Sequence, residues 1–238
     1  MNKIVIYTSI FGRYDTLYDI SYFPPGCDFV CFTDTDILAA GWEIIKVPRL
    51  YIDNTRNAKR YKILPHKYLK KYDISIYIDG NFSIIGNPNE LVDAYLANAN
   101  AAFFDHSANA LDPRNCIYQE ASFIIDAGYR NYNIRPDRRE LCFKDDPNIV
   151  QKQVDKYMRD GYPPNNGLIS GGIILRRHNE NDCINTMNSW WQEIEYFSKR
   201  DQLSFNYCAW KSNFNFNYIP YDIRNNGYFV HTGHTGKR

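Results

Sequence analysis

The stretch DISIYIDGNFSI, residues 73–84, predicts the central strand of a sheet and a ligand site at its end. Residues 74–78 form a continuous run of β-branched and aromatic side chains, which is typical of a strand buried on both faces. The run ends at Asp79-Gly80-Asn81, so a carboxylate and an amide follow the strand directly. Open α/β folds bind ligands at the carboxyl ends of such strands.

Asp79 and Asn81 are spaced to bind one hard cation, because the glycine between them leaves the approach open. Mg²⁺ and Mn²⁺ prefer carboxylate and carbonyl oxygens and complete their coordination shells with substrate phosphates. The same three residues are also typical of a tight turn, and the string alone leaves both interpretations open. Its position after a buried strand favours the site for metal and phosphate.

Composition predicts one globular domain of 238 residues, with 44% hydrophobic and 16% aromatic residues. The formal net charge is only +1, from 28 basic and 27 acidic residues. No general attraction to nucleic acid or anionic lipid follows from that balance, so we expect no nucleic-acid partner.

The cysteine pattern and the first residues indicate a soluble, cytoplasmic protein. The six cysteines include no CxxC pair, which fits reduced thiols in a reducing compartment. The first apolar run is interrupted at Gly12 and Arg13 and is too short for a signal peptide. No window approaches the length of a membrane span.

Strands and helices alternate along the chain to about residue 210. Apolar runs predict strands at residues 3–9, 28–33, 42–47, 74–78, 101–104, 167–176 and 218–220. Helical patterns predict helices at 54–72, 89–97, 115–129, 147–160, 182–197 and 203–210. This order predicts an α/β fold, a single domain with a mostly parallel central sheet and helices on both faces.

The helix predicted at residues 54–72 is strongly basic and contains Pro65, which should break or kink it. Asn54 or Thr55 is the expected cap. Most of its basic residues are expected to form a solvated face. One or two of them, Arg60 first, could reach a diphosphate at the end of the next strand.

Gly171 and Gly172 interrupt the strand predicted at residues 167–176. Glycines inside a strand indicate a bulge or a group packed closely against the backbone, here a donor or acceptor sugar. Farther along, Asp201-Gln202 opens a helix, where a carboxylate fits both capping and catalysis.

The end of the chain combines His231 and His234 with glycines and Lys237. This composition suits a loop that closes over a phosphate and donates an imidazole to its metal, although a disordered end is the alternative. Deletion from Gly227 onward is therefore expected to lower donor affinity and to leave thermal melting almost unchanged.

The order of these parts resembles the GT-A class of nucleotide-sugar glycosyltransferases, and most closely the layout of glycosyltransferase family 8. YTSIFGRYD, RNAKRYKILPH, NCIYQEA and DQLSFNYCAW resemble a small stand-alone branch of that class found in bacteria, plants and large DNA viruses. The resemblance implies a nucleotide-binding half at residues 1–106, an acceptor half at 107–226 and a closing tail at 227–238. It also implies a viral or bacterial source as one option.

The resemblance also implies roles for individual residues. Asp79 and Asn81 would be the two side-chain metal positions, His231 the metal ligand from the tail, and Lys237 a contact of the diphosphate. Asn81 departs from the usual second aspartate, which should weaken Mn²⁺ or Mg²⁺ binding. His234 has no fixed counterpart and would replace or supplement His231. Near the nucleoside it places these residues: Thr8, Ile10, Gly12, Thr33 and Asp34.

The implied reaction moves a sugar from a nucleoside-diphosphate sugar, with UDP favoured, to a glycan or another hydroxyl acceptor. A divalent cation, Lys237 and Arg60 would stabilise the leaving diphosphate. Inverting transfer needs a carboxylate base, for which Asp201 is the first candidate, followed by Asp105 and Glu120. Retaining transfer would instead place Gln202 or Asp201 on the other face of the sugar. The sequence does not decide between the two outcomes.

Two other functions compete with glycosyl transfer. A nucleotide-sugar pyrophosphatase would use the same metal site, but that chemistry usually recruits more carboxylates. A non-catalytic module that binds nucleotides or carbohydrates is favoured by Asn81 in place of an aspartate.

Overall fold

The fold is described by a computed structural model that covers residues 2–134, 137 and 142–233. The strands are β1 (Ile4–Ile10), β2 (Cys27–Thr33), β3 (Glu43–Lys46), β4 (Ile74–Ile78), β5 (Phe82–Ile84), β6 (Ala101–Asp105), β7 (Ile169–Arg176), β8 (Asn217–Ile219) and β9 (Phe229–His231). The helices are α1 (Asn54–Ile63), α2 (Pro65–Tyr68), α3 (Asn89–Tyr95), α4 (Ile117–Ile134), α5 (Pro147–Arg159), α6 (Asn181–Tyr196) and α7 (Phe205–Ser212).

Seven strands form the central sheet in the order β3-β2-β1-β4-β7-β6-β8. β1 pairs in parallel with β2 and β4, β2 with β3, and β6 with β8. β7 runs antiparallel to both of its neighbours, β4 and β6. The predicted α/β fold with a mostly parallel central sheet in one domain is confirmed, with one reversed strand inside it.

Helices cover both faces of the sheet, because alternate residues of each central strand point to opposite sides. Ile74, Ile76 and Ile78 of β4 pack with Leu91 and Val92 of α3. On the other face, side chains of β1 and β4 pack with residues of α1, α6 and α7. Both layers are fully buried at their centres, so β4 lies in the middle of the core, as its continuous apolar sequence predicts.

α1 ends where the sequence predicts a break, at Ile63, and Pro65 begins the short helix α2. A proline ring cannot continue the hydrogen bonding of the preceding turn. The cap differs from the expectation of Asn54 or Thr55. It is Asp53, whose side chain accepts a hydrogen bond of 2.8 Å from the backbone N–H of Arg56.

A second, two-stranded sheet joins β5 to β9, with Phe82 opposite His231 and Ile84 opposite Phe229. The sequence does not predict this sheet, since each strand is only three residues long. Phe229 is fully buried and packs against Phe104. The first part of the tail therefore belongs to the core. We now expect deletion from Gly227 onward to lower thermal stability, whereas the sequence predicted almost no change in melting.

The helices in the described ranges are too short or too polar to cross a membrane. All six cysteines are present as thiols without a disulfide.

Candidate functional site

A cavity of about 530 Å³ opens at the carboxyl ends of β1 and β4. Its lining comes from the loop after β1, from α1, from the end of β4, from the middle of β7 and from the short turn Asp201–Leu203. β7 runs in the opposite direction through the sheet, so the residues that it brings to this edge, Gly171 and Gly172, belong to its amino-terminal half. The predicted ligand edge of the sheet is therefore the mouth of a cavity.

Asp79 lies on the floor of this cavity and is held in place from three sides. Its backbone N–H donates to the carbonyl of Gly172 at 2.8 Å, which fixes the end of β4 against β7. Its Oδ1 accepts hydrogen bonds from the Tyr77 hydroxyl at 2.8 Å and from Lys62 Nζ at 3.2 Å. The side chain remains 38% exposed, so a ligand in the cavity can reach it.

Lys62 of α1 places its ammonium group between two carboxylates. Its Nζ lies 3.2 Å from Asp79 Oδ1 and 2.7 Å from Asp201 Oδ2, and its side chain is 4% exposed. Burial alone would lower the pKa of Lys62, but the charges of Asp201 and Asp79 outweigh burial and raise that pKa above its ordinary value. Lys62 is therefore a permanent positive charge at the floor of the cavity.

Lys59, one turn earlier in α1, binds the other oxygen of Asp201 at 3.1 Å and also donates to the carbonyl of Lys199. Burial lowers the pKa of Lys59 to about 8, despite the charge of Asp201. For Asp201 the balance is opposite. Burial raises its pKa, but Lys59, Lys62 and Arg200 together hold it far below its usual range.

Gly171 and Gly172 let the backbone of β7 pass close to both carboxylates. A Cβ at Gly171 would lie 3.2 Å from Asp201 Oδ2, and one at Gly172 would lie 3.3 Å from Asp79 Oδ2. It would also lie 3.0 Å from the Phe82 ring. Any larger residue would narrow this part of the cavity.

The pairing of β7 with β6 is irregular between Ser170 and Ile174, so the bulge that the glycines predict is present. The groups close to the two glycines are protein side chains, and the contact with a sugar stays a prediction.

Asn81 and His231 meet beside Asp79, 150 residues apart in the chain. Asn81 Nδ2 lies 2.9 Å from His231 Nε2, and the His231 ring packs edge-on against Phe82 at 5.1 Å between centroids. Thr232 adds two hydrogen bonds, from its N–H and its hydroxyl, to the carbonyl of Asn81. The pairing of β5 with β9 thus brings together two of the predicted metal ligands, Asn81 and His231.

The types of donor present near Asn81 and His231 are ones that a hard cation accepts. Asp79, Asn81 and His231 offer a carboxylate, an amide and an imidazole along one edge, and phosphate oxygens and water can fill the other positions. Within residues 2–134, 137 and 142–233, however, no three side chains of His, Cys, Asp and Glu converge as ligands. The ammonium of Lys62 on Asp79 further lowers the local attraction for a cation.

The described lining of the cavity contains more basic than acidic side chains. The basic ones are Lys59, Lys62, Lys144, Lys199 and Arg200, and the acidic ones are Asp15, Asp79 and Asp201. Phe11, Tyr14 and Phe143 add aromatic surfaces. A chain of nearly neutral net charge therefore concentrates positive charge in one cavity, which favours an anion that bears a planar or ring-shaped group.

Of the other predicted catalytic residues, Gln202 lines the cavity, whereas Glu120 and Asp105 do not. Gln202 lines the cavity, and its side-chain amide donates to the carbonyl of Ile169 at 3.1 Å. Glu120 is buried and accepts hydrogen bonds from Arg114 at 2.8 Å and from Arg200 at 3.4 Å. Asp105 caps a turn by accepting from the N–H of Ser107 at 2.9 Å and does not line the cavity.

Arg60 is not brought to the cavity. Its Nε donates to the Tyr68 hydroxyl at 2.8 Å, and its guanidinium lies 5.9 Å from the centre of the Trp191 ring. The physical reason is helical geometry, because successive residues of α1 are rotated by about 100°. Lys59 and Lys62, three residues apart, share the face that meets the cavity, and Arg60 points away from it.

The residues predicted near the nucleoside lie on β1, on β2 and in the loops that follow these strands. Ile10 lines the cavity, and Thr8 is fully buried beside Asp79 in a small adjoining pocket. Gly12 donates its N–H to Asp34 Oδ1 at 2.9 Å, and Asp34 pairs with Arg49. Thr33 is fully buried and contacts the Thr35 hydroxyl. His234 and Lys237 lie outside the described residues, so their predicted roles stay predictions.

Lys59, Lys62 and Tyr77 are among the cavity residues for which the sequence predicted no role in the site. Two lysines three residues apart on a predicted helix share one face, and that spacing could have singled them out among the basic residues. Tyr77 gave no such signal, since its place within a buried strand looks purely structural.

A family model described as TOD1/MUCI70, glycosyltransferase-like domain, matches residues 31–226. A protein of Arabidopsis thaliana described as "Probable hexosyltransferase MUCI70" is 25% identical over 179 residues, which cover 69% of this chain and 26% of that protein. The chain thus spans about a quarter of the length of this relative.

Proposed function

The chain belongs to the TOD1/MUCI70 glycosyltransferase-like domain family, and on this premise we propose that it transfers a hexosyl group from a nucleoside-diphosphate sugar to a hydroxyl group of a glycan. The observation that supports this most directly is the ammonium group of Lys62, held between Asp79 and Asp201 on the floor of a basic cavity. We favour a UDP-sugar as the donor.

The charges of the cavity match the charge that this reaction develops. When the bond between the sugar and the phosphate breaks, negative charge grows on the leaving diphosphate. Fixed positive charges in a site shielded from water stabilise that charge without having to reorganise. Lys62 and Lys59 provide two such charges, and their pairing with Asp201 keeps them fixed.

A divalent cation, Mn²⁺ or Mg²⁺, would be held by Asp79, Asn81 and His231. When bound, it supplies further positive charge for the diphosphate. The residues of the chain bind and orient the phosphate from the other side, through the lysines of α1. The tail strand β9 contributes to this metal position, because its pairing with β5 holds His231 next to Asn81.

The surroundings of Asp201 suit the orientation of lysines better than proton transfer. One oxygen accepts from Lys59 and from the N–H of Gln202, and the other accepts from Lys62. A carboxylate whose pKa is held far below its usual range is a weak base. We propose that Asp201 fixes the two ammonium groups, and that Gln202 contacts the transferred sugar from the cavity wall.

The test is donor turnover and nucleotide binding by the purified chain. UDP-, GDP- and dTDP-hexoses are incubated with Mn²⁺ and glycan acceptors, and release of nucleoside diphosphate and transfer of labelled sugar are measured. We expect slow release with one donor that accelerates with the right acceptor. Formation of sugar 1-phosphate would identify a pyrophosphatase instead, and tight nucleotide binding with no turnover would identify a binding module.

Asp79→Ala is expected to lower turnover by roughly 100-fold or more and to abolish the Mn²⁺-dependent part of nucleotide binding. Folding should be retained, because Lys62 keeps its second partner, Asp201. Asp93→Ala on the exposed side of α3 is the matched control and should leave both properties unchanged. Wild-type turnover in Asp79→Ala would remove Asp79 from the site.

A further inference from the structure

Arg176, the last residue of β7, is a fully buried cation outside the cavity. No described carboxylate forms an ion pair with its guanidinium, and its Nε has no hydrogen-bond partner among the described residues. A buried charge without a counter-charge is costly, so its remaining contacts must be favourable ones. Several of those contacts are made with α1, the helix that carries Lys59 and Lys62.

The guanidinium of Arg176 binds the carboxyl end of α1. Its Nη2 donates to the carbonyl of Lys62 at 2.7 Å, and its Nη1 lies 3.5 Å from the carbonyl of Ile63. The last carbonyls of a helix have no partner within the helix, and Pro65 prevents α1 from continuing. A cation at this end also interacts favourably with the helix dipole.

Tyr7 of β1 completes this contact. Its hydroxyl donates to the same carbonyl of Lys62 at 2.7 Å and accepts from Arg176. The backbone of Lys62 is thus held from below by two fully buried side chains, and its ammonium group is held from above by Asp79 and Asp201.

The two ends of this arrangement are also joined through aromatic rings. The Tyr7 ring packs edge-on against Tyr77 at 5.2 Å between centroids, and the Tyr77 hydroxyl binds Asp79 Oδ1. Lys62 Nζ lies 4.9 Å from the centre of the Tyr77 ring. Arg176, Tyr7, Tyr77, Asp79 and Lys62 therefore form a closed ring of contacts around the end of α1.

We propose that Tyr7 and Arg176 are positioning residues that fix the carboxyl end of α1 and thereby aim the Lys62 ammonium group at the diphosphate. Neither residue lines the cavity, and both act through Lys62. The inference rests on the proposed function, because it assigns the effect to the binding of a nucleoside diphosphate.

The test is a double-mutant cycle on UDP affinity, measured by calorimetry at fixed Mn²⁺, which does not depend on turnover. Tyr7→Phe removes one hydrogen bond to Lys62 and keeps the ring. We expect it to weaken UDP binding about fivefold in the wild-type background. In the Lys62→Met background the same change should weaken binding less than about twofold, because the group being aimed is absent.

Arg176→Lys is the second variant, since it keeps the charge but loses the planar fork that reaches both Lys62 and Tyr7. It should follow the same pattern. Tyr72→Phe is the matched control, a buried tyrosine whose hydroxyl binds Asp28 of β2, and since neither residue lines the cavity or contacts Lys62, it should leave UDP affinity unchanged. If Arg176→Lys fails to fold, the Tyr7→Phe cycle alone decides.

Equal loss of affinity from Tyr7→Phe in both backgrounds would overturn the inference, because the effect would then not pass through Lys62. Such a result would leave the proposed function intact. Absence of binding of UDP, GDP and dTDP by the wild-type chain would instead overturn the proposed function, and the inference with it.

Discussion

Two regions flank Asp79 and differ in charge: the floor of the cavity, formed by Lys59, Lys62 and Asp201, and the corner, formed by Asn81 and His231. On the floor, the buried carboxylate of Asp201 binds buried Lys62 at 2.7 Å and the largely buried Lys59 at 3.1 Å. At the corner, a neutral amide, Asn81, meets the imidazole of the exposed residue His231. Both regions flank Asp79, but only the floor has its charges in place before a ligand arrives.

This difference implies an order of binding. Fixed ammonium groups attract the diphosphate directly. Beside Asn81 and His231, Asp79 is the one carboxylate that the described residues supply as a predicted metal ligand, and Lys62 already shares it. A divalent cation gains most of its ligands only when phosphate oxygens are present. We therefore expect Mn²⁺ to bind weakly alone and more tightly with UDP, which calorimetric titration of Mn²⁺ with and without UDP would measure.

The largest effect should come from breaking the floor. Asp201→Asn leaves Lys59 without a carboxylate partner among the described residues and leaves Lys62 with Asp79 alone, and we expect the free energy of unfolding to fall by about 3 kcal/mol. Urea denaturation measures it. Asp36→Asn is the matched control, because it breaks an exposed pair with Lys46 and should leave stability unchanged within error. Equal stability of Asp201→Asn and wild type would show that the floor does not depend on this pairing.

A smaller effect should come from the corner. His231→Gln is expected to weaken the Mn²⁺-dependent gain in UDP affinity by roughly tenfold and to leave metal-free UDP affinity unchanged. The residue lies on the exposed side of β9, so unfolding should be little affected. Tyr228→Phe, which alters a surface contact with Glu90 just before β9, is the control and should change neither quantity. A loss of metal-free affinity in His231→Gln would contradict the separation of the two regions.

The smallest effect should be a pH dependence that comes from the floor alone. Burial lowers the pKa of Lys59 to about 8, so this side chain loses its positive charge as the pH rises through that value. UDP affinity should fall about three- to tenfold between pH 7 and pH 9.5. Lys59→Arg keeps its charge throughout this range and should flatten the profile. A wild-type profile that is already flat would exclude Lys59 as a contact of the anion.

The sequence predicted the fold well where the signal was local. The continuous apolar run of β4 can bury its side chains on both faces only as a central strand of a covered sheet. Pro65 ends α1 because its ring cannot continue the hydrogen bonding of the preceding turn. Because Asp79 directly follows β4, the position of this strand also placed Asp79 at the edge of the sheet. The basic composition of α1 correctly indicated that this helix supplies cations to the site, but it did not show which ones. Basic residues lie on several faces of α1, so the sequence could not distinguish Arg60, which binds Tyr68, from Lys59 and Lys62, which line the cavity.

The sequence by itself determined the α/β alternation, the central strand and the carboxylate at its end, because these depend on the periodicity of neighbouring residues. Tertiary structure alone decided that Lys62 lies between Asp79 and Asp201, that Arg176 and Tyr7 hold its backbone, and that β9 brings His231 to Asn81. Those contacts join residues 17 to 150 positions apart. Burial fixes their partners, because a charge or carbonyl removed from water must find one wherever the fold supplies it.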